Sequence, residues 1–216
     1  MEMPELSIRR LQEFHAYIEE RFRVYQSREA GLKPPWTGNP IIQGGAFVNV
    51  FRDLDVTSVT AAKIMRNLQD ADLIATGVAM ALINKPSTMI SVGPLCQESL
   101  KDPMEVNRIA LAIQQEGFGG AYIIPSFGAR CGGKAECVAR KIAEIAAAIT
   151  PTDLIAFRKN ATSGYLVQYL QSFRYIGPLI AYQSAQNIGW IDATLYDATK
   201  HVAAELHVGS IFVSQN

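Results

Sequence analysis

Apolar residues recur at helical spacing along most of the chain. Near the amino terminus five large apolar side chains are spaced 3, 4, 4 and 3 positions apart: Leu11, Phe14, Ile18, Phe22 and Tyr25. This spacing predicts one amphipathic helix from about residue 4 to residue 31. Lys33-Pro34-Pro35 should end it, because a residue that precedes proline is disfavoured in the helical conformation.

Start and stop signals divide the rest of the chain into shorter helices. The clearest is Asp102-Pro103-Met104-Glu105, an N-cap aspartate with proline at the first helical position, and Gly117 is its stop. Further helices are predicted from Thr57, over 71–84, over 134–149, from Thr152, over 164–172, over 178–188 and from Asp192. Only residues 118–124 have a strand-like composition, and they lack a partner. The pattern predicts an all-α fold of about nine helices, as one compact helical domain over residues 1–216.

Composition narrows the class of protein without naming its chemistry. Apolar residues make up 49% of the 216 residues, which is enough for a sizeable core. The formal net charge is zero, whereas a protein that binds DNA mainly through phosphates should carry a basic surplus. Any basic residues that touch DNA must therefore be gathered on one face.

The sequence carries no signal for a metal site, a membrane span or export. Cys96, Cys131 and Cys137 form no ligand pattern with each other or with the three histidines, so no metal site is predicted. An odd number of cysteines fits a reducing compartment. No apolar run reaches the roughly 20 residues of a membrane span, and the first residues lack a signal-peptide core. We therefore expect a cytoplasmic protein with no membrane partner.

The densest group of polar residues in apolar surroundings is Asn49-Val50-Phe51-Arg52-Asp53-Leu54-Asp55. On a helix Arg52 and Asp55, three positions apart, share a face, as do Asn49 and Asp53, four apart. Charged groups among large apolar side chains are costly unless they are paired, so this group favours a polar pocket. The alternative is a partly exposed helix start that carries an Arg–Asp pair.

This block and its lead-in resemble a known family. Trp36-Thr37-x-x-Pro40-Ile41, followed by Phe47-x-Asn49-Val50-Phe51-Arg52-Asp53-Leu54-Asp55, is similar to the signature of the amino acid:DNA transferases. These are also described as alpha-glutamyl/putrescinyl-thymine pyrophosphorylases, and they belong to bacteriophage pathways that hypermodify thymine in DNA. The lead-in Glu20–Tyr25 and the later segment Tyr175–Gln183 are similar too. The resemblance is dense over residues 19–60, returns at 120–122 and 175–183, and is diffuse elsewhere.

The resemblance implies a transfer reaction on double-stranded DNA in the infected bacterial host. An upstream DNA kinase pyrophosphorylates 5-hydroxymethyluracil, and the transferase displaces the pyrophosphate with the nitrogen of an amino acid or polyamine, giving a hypermodified thymine. No cofactor is implied at this step, because the leaving group is already installed. The sequence leaves the amine donor open among glycine, serine, glutamate and putrescine.

Candidate roles follow from that chemistry. The amine must lose a proton, which needs a carboxylate base: Asp55 first and Asp192 second. The departing pyrophosphate needs cations, for which the candidates are Arg52, Arg130 and Arg23. The base is either reached in the major groove or extruded into a pocket. The substrate-binding candidates are the aromatic platforms Trp36, Tyr122 and Tyr182, the amides Asn49 and Gln183, and Thr37 of the signature. Each aromatic has an ordinary core position as its alternative.

Residues 164–188 resemble the helix–hairpin–helix element of DNA glycosylases, with Arg174-Tyr175-Ile176-Gly177-Pro178 as the turn. In such elements the turn presents backbone N–H groups to a DNA phosphate, and the positive end of the second helix adds attraction. Arg174, Ile176 and Gly177 are therefore the candidate DNA contacts, although Pro178 removes one N–H. The alternative is an ordinary corner between two helices.

Asp192 lies in Ile191-Asp192-Ala193-Thr194, which resembles the segment with the catalytic aspartate of those glycosylases. Its alternative role is that of a helix N-cap. Asn187 stands near a position where the transferases have an acidic residue. Other function classes stay open: a glycosylase-like or inactive protein that recognises modified bases, a non-catalytic DNA-binding module, and a small-molecule enzyme.

Overall fold

A computed structural model describes residues 5–44, 54–120 and 132–197. These residues contain helices and no strand, so the all-α prediction is confirmed. In the described residues the α-helices are α1 Glu5–Glu29, α2 Pro40–Gly44, α3 Val56–Met65, α4 Asp70–Ile83, α5 Pro86–Val92, α6 Pro103–Glu116, α7 Lys134–Ala148, α8 Pro151–Lys159, α9 Tyr165–Gln171 and α10 Pro178–Gly189. A short 3-10 turn, Ser99–Lys101, precedes α6.

Most helices begin where their sequence signals predict. The Asp102 carboxylate accepts a 2.8 Å hydrogen bond from the Met104 N–H at the start of α6. α8 begins at Pro151 because Thr150 and Asp153 form a reciprocal capping box around it. The short helices α2 and α5 were not predicted.

One predicted helix is wrong, and the strand-like segment is only partly among the described residues. The helix expected from Asp192 is wrong as far as residue 197, because a turn follows Asp192. Of the strand-like segment, residues 118–120 have no regular structure and 121–124 lie outside the described residues.

The chain forms two compact units, Met1–Ser58 and Val59–Asn216. The first contains α1 and α2, and the second contains α4 to α10. The prediction of one domain over residues 1–216 stays a prediction. None of the described helices is both long enough and apolar enough to cross a bilayer.

α4 is the centre of the core of the second unit. Nearly all of its residues from Ala71 to Ile83 are buried, and a helix that is apolar on all sides must be surrounded by other elements. α5, α7 and α10 pack against it. Gly77 allows the closest approach, since a Cβ at this position would lie 2.6 Å from Cγ1 of Ile188 on α10. α10 also packs against α9. The turn between α9 and α10 is therefore supported by the buried core around α4.

Candidate functional site

In the first unit, Glu20 of α1 joins two of the predicted substrate-binding residues. The Thr37 hydroxyl donates a 2.6 Å hydrogen bond to Oε1 of Glu20. The other carboxylate oxygen, Oε2, accepts a 2.8 Å hydrogen bond from the Arg23 guanidinium. Thr37 is buried, whereas Arg23 is largely exposed. The structure therefore brings Arg23 and Thr37 together through a carboxylate that was not among the candidates.

The segment from Trp36 to Gln43 is held by its own hydrogen bonds. The Thr37 hydroxyl oxygen accepts from the Asn39 N–H at 3.0 Å, and Oδ1 of Asn39 accepts from the Ile41 N–H at 2.9 Å. The Gln43 side-chain amide donates to the Thr37 carbonyl. The polar groups of this part of the signature thus build a local scaffold and start α2.

Trp36 is fixed at both its edge and its face. Its indole N–H donates a 2.7 Å hydrogen bond to the Leu32 carbonyl, and the Arg28 guanidinium lies 5.7 Å from the ring centroid. A cation over an aromatic face is attracted by the negative charge of the ring face. Since Arg28 covers one face of Trp36, only the other face could stack on a base.

Asp55, the first candidate base, has a capping role in the structure. Its Oδ2 accepts hydrogen bonds from the Ser58 N–H and hydroxyl, both at 3.2 Å, and from the Thr57 hydroxyl. A side chain that accepts from the third residue of a helix is an N-cap, and here the helix is α3. This geometry matches the alternative of a helix start for that end of the block. Asn49 and Arg52 lie outside the described residues, as do Tyr122 and Arg130.

In the second unit, residues 172–177 connect α9 to α10. Tyr175 has the left-handed backbone conformation, with φ of 74°, whereas Gly177 has φ of −78° and ψ of 170°, which any residue can adopt. The Arg174 guanidinium lies over the Tyr175 ring at 4.7 Å from its centroid, and Arg174 is exposed. The sharp bend is therefore made by Tyr175 and not by the glycine.

Ile176 differs from its neighbours in the turn. Its side chain is 4% exposed and belongs to the hydrophobic core, and its N–H donates to the Phe173 carbonyl at 3.0 Å. It anchors the turn, so Arg174, Gly177 and the start of α10 remain the candidate DNA contacts there. Further along α10, Tyr182 and Gln183 are half-buried, and the Tyr182 hydroxyl accepts from the Gln186 amide at 2.9 Å.

Asp192, the second candidate base, lies in a charged group at the surface of the second unit. Its Oδ1 accepts from the Thr194 N–H at 2.9 Å and from the Thr194 hydroxyl at 2.6 Å. Its Oδ2 lies 3.8 Å from the Arg158 guanidinium, which also binds Oδ1 of Asp70 at 2.5 Å. Asp192 therefore organises a turn and shares one arginine with another carboxylate. Among the described residues no group of histidine, cysteine, aspartate and glutamate has the arrangement of a metal site.

A model of a protein family described as 5-hmdU DNA kinase, helical domain, matches residues 9–211. The chain belongs to this family. This family belongs to the phage pathway of thymine hypermodification, so the predicted pathway is confirmed. The description names the kinase of that pathway and not the transferase. No curated protein and no solved structure matches the chain.

The kinase name raises the question of where nucleotide phosphates would bind. A common phosphate-binding loop reads Gly-x-x-x-x-Gly-Lys followed by Ser or Thr, whose hydroxyl binds Mg²⁺. This sequence has one stretch with that spacing, Gly128 to Lys134, and it continues with Ala135. α7 begins at Lys134, whose ammonium group lies 4.9 Å from the centroid of the Phe118 ring. In this member of the kinase helical-domain family the sequence therefore contains no complete loop of this kind.

Two residues that organise the candidate sites, Glu20 and Arg158, were missed. Glu20 reaches Thr37 across 17 positions, and Arg158 reaches Asp70 across 88. Such pairs are set by tertiary packing, so spacing along a helix gives no signal for them. The sequence could have indicated Glu20 as a candidate, because it is the first residue of the lead-in that resembles the transferases.

Proposed function

We propose that this chain binds duplex DNA containing 5-hydroxymethyluracil and holds that base for phosphorylation of its hydroxymethyl oxygen. The observation that carries the proposal is the family match over residues 9–211, which names a kinase of this base. In this proposal the chain recognises the DNA and the base.

The turn between α9 and α10 is the proposed contact with the DNA backbone. Arg174 is exposed beside Gly177, and a Cβ on Gly177 would meet no atom within 4 Å, so this point of the surface is open to a partner. The first turn of α10 presents the positive end of a 12-residue helix there. A local contact of this type is compatible with a formal net charge of zero.

A second candidate function is the amine transfer implied by the signature. The observation that favours it is the link from Thr37 through Glu20 to Arg23, which joins three residues of the matching segments. In this proposal the exposed Arg23 attracts the departing pyrophosphate. The candidate base in the same unit as Arg23 is Asp55.

One set of duplexes tests both functions. The same sequence is prepared with thymine, with 5-hydroxymethyluracil and with pyrophosphorylated 5-hydroxymethyluracil, and binding is measured at several salt concentrations. The first proposal expects tighter binding of the hydroxymethyluracil duplex than of the thymine duplex, and equal affinity for the two contradicts it. The protein and a panel of amines are added to the pyrophosphorylated duplex. The DNA is then digested, and the masses of the nucleosides are measured by mass spectrometry. Nitrogen-linked adducts with equimolar pyrophosphate identify the transferase, whereas abasic sites identify a glycosylase.

A further inference from the structure

A polar cleft of about 420 Å³ opens at the start of α4 in the second unit. Five of the residues that line it have an amide or a carboxylate in the side chain: Asn67, Gln69, Gln97, Asp70 and Asp72. The volume lies within the roughly 300–1,000 Å³ that is typical of small-molecule sites. No candidate residue from the sequence lines this cleft.

Hydrogen bonds fix what Gln97 and Asp72 can offer to a ligand. Nε2 of Gln97 donates to the carbonyls of Ala146 at 2.6 Å and Ile149 at 2.9 Å, so both amide hydrogens are engaged. The Gln97 backbone N–H donates to Oδ1 of Asp72 at 2.7 Å. What is left for a ligand is two acceptors, Oε1 of Gln97 and Oδ2 of Asp72.

The charges around the cleft favour a neutral ligand. The Asp70 carboxylate is paired with the Arg158 guanidinium at 2.5 Å. Asp72 lies in the first turn of α4, where the positive end of the helix partly compensates its charge. Arg158 also lies 3.8 Å from Oδ2 of Asp192, so the remaining negative charge of the cleft favours a ligand that brings hydrogen-bond donors and no negative charge of its own. The side chains of Asn67 and Gln69 add both donors and acceptors, and Leu68 and Leu154 add apolar wall.

We infer that this cleft receives the 5-hydroxymethyluracil base after its extrusion from the duplex. The inference rests on the proposed function, because it specifies where the recognised base is held. A uracil ring has two carbonyl acceptors, which match the amide hydrogens of Asn67 and Gln69. Its ring N–H and its hydroxymethyl O–H are donors, which match Gln97 and Asp72. The flat faces of the ring fit an apolar wall, as in other pockets for extruded bases.

Asp72 is the residue that distinguishes hydroxymethyluracil from thymine. Asp70 is occupied by Arg158, so Oδ2 of Asp72 is the acceptor assigned to the hydroxymethyl O–H. Thymine has a methyl group in that place and would leave this acceptor without a partner. A polar group in a site that loses its partner on binding costs affinity, and the wrong base is rejected for that reason.

Asp72→Asn tests this assignment with little change of shape. The asparagine Oδ1 can still accept the Gln97 N–H, but an NH₂ donor replaces the acceptor that faces the ligand. The preference for the hydroxymethyluracil duplex over the thymine duplex should fall about tenfold, the scale of a lost hydrogen bond to a charged group. Asp102→Asn is the matched control, because Asp102 caps α6 and does not line the cleft.

Gln69→Trp tests the cleft by filling it. Gln69 makes no side-chain capping bond, so its replacement leaves the start of α4 intact. A 2-aminopurine is placed beside the modified base in the duplex. Binding of the wild-type protein should increase the fluorescence of the 2-aminopurine, because extrusion of the modified base unstacks its neighbour. The Trp variant should abolish both this rise and the preference for the hydroxymethyluracil duplex over the thymine duplex, while its far-UV circular dichroism stays that of the wild type. Gln115→Trp, on the exposed side of α6, is the control.

The outcomes separate the cleft from the proposed function. If the wild-type protein prefers hydroxymethyluracil and both cleft variants keep that preference and the fluorescence rise, the base binds elsewhere and the inference is wrong while the proposed function stands. If the wild-type protein binds both duplexes equally, the proposed function fails and the cleft assignment fails with it.

Discussion

The signature segment of the first unit and the turn between α9 and α10 of the second unit hold their polar residues in different ways. In the segment from Trp36 to Gln43, the polar groups bond to one another and to Glu20. In the turn, Arg174 rests on an aromatic ring and faces solvent, and the anchor below it is the buried Ile176. The first arrangement is stabilised by hydrogen bonds at a half-exposed surface, and the second by a hydrophobic core.

This difference decides what each region has left for a partner. Where side chains saturate one another, as at Thr37 and at Oδ2 of Asp55, binding a ligand means exchanging an existing bond. Where the core fixes the backbone, an exposed group such as Arg174 can meet a phosphate by giving up at most its contact with the Tyr175 ring. The turn is thus the better prepared of the two surfaces, because α10, which begins at this turn, packs closely on α4.

The largest effect is expected from breaking that support. Gly77→Val places a branched side chain where a Cβ alone would lie 2.6 Å from Ile188, so α10 must move away from α4. Overpacking of this kind should lower the free energy of unfolding by about 3 kcal/mol. The measurement is urea unfolding followed by far-UV circular dichroism. Gly38→Val is the control, since a Cβ at Gly38 meets nothing within 4 Å, and equal stability of the two variants would contradict the close packing.

Removal of the exposed cation should have a smaller effect, confined to DNA binding. Arg174→Ala should weaken binding of any duplex about tenfold at low salt and reduce the slope of log affinity against log salt by about 0.9, the value for one phosphate contact. Gly177→Ala should also weaken binding without unfolding the protein, because its backbone conformation suits alanine. Arg66→Ala provides an exposed arginine control. If Arg66→Ala and Arg174→Ala lose the same DNA affinity, the turn is an ordinary corner between two helices and not a DNA contact.

The same contrast explains what the sequence could predict. Helix boundaries came out well where a local signal exists, as at Asp102 and Gly117, because capping involves neighbours in sequence. The glycine in the turn was recognised, but the residue with the left-handed backbone is Tyr175, which no turn preference would select. The turn after Asp192 was mistaken for a helix because an aspartate that caps a turn carries the same local signal as one that caps a helix.

The candidate site was less predictable than the fold. Asp55 was chosen for its charge among apolar residues, and the structure uses that charge to begin α3. The cleft at α4 combines residues from positions 67–72, 97 and 154. These residues become neighbours only through packing, so no motif could indicate them. The resemblance to a known family did predict the thymine hypermodification pathway. A resemblance compares whole segments and does not depend on the role of single residues.

The smallest effects come from two ion pairs that measure what the signature segment gains from Glu20. Glu20 pairs with Arg23 at 2.8 Å and Glu105 pairs with Arg108 at 2.7 Å, each three positions apart on a helix. Only Glu20 also accepts a hydrogen bond from Thr37. Glu→Gln at each position should therefore cost about 0.5–1 kcal/mol at Glu105, as for a surface pair, and about 1 kcal/mol more at Glu20.

The stability that the Glu105–Arg108 pair contributes depends on pH in a definite direction. The hydrogen bond from Arg108 lowers the pKa of Glu105 below its usual 4.5, so this pair stabilises the fold above about pH 4.5 and its contribution is lost as the pH falls through the lowered value. Wild type and Glu105→Gln should therefore differ at pH 7 and converge in acid. The two tryptophans, one in each unit, let the losses be assigned: with Trp190→Phe, emission from Trp36 reports on the first unit, and with Trp36→Phe, Trp190 reports on the second. If Glu20→Gln costs the first unit no more than Glu105→Gln costs the second, the negative charge of Glu20 adds nothing to the hydrogen bond from Thr37, and the signature segment can exchange that bond as readily as the turn can accept a new one.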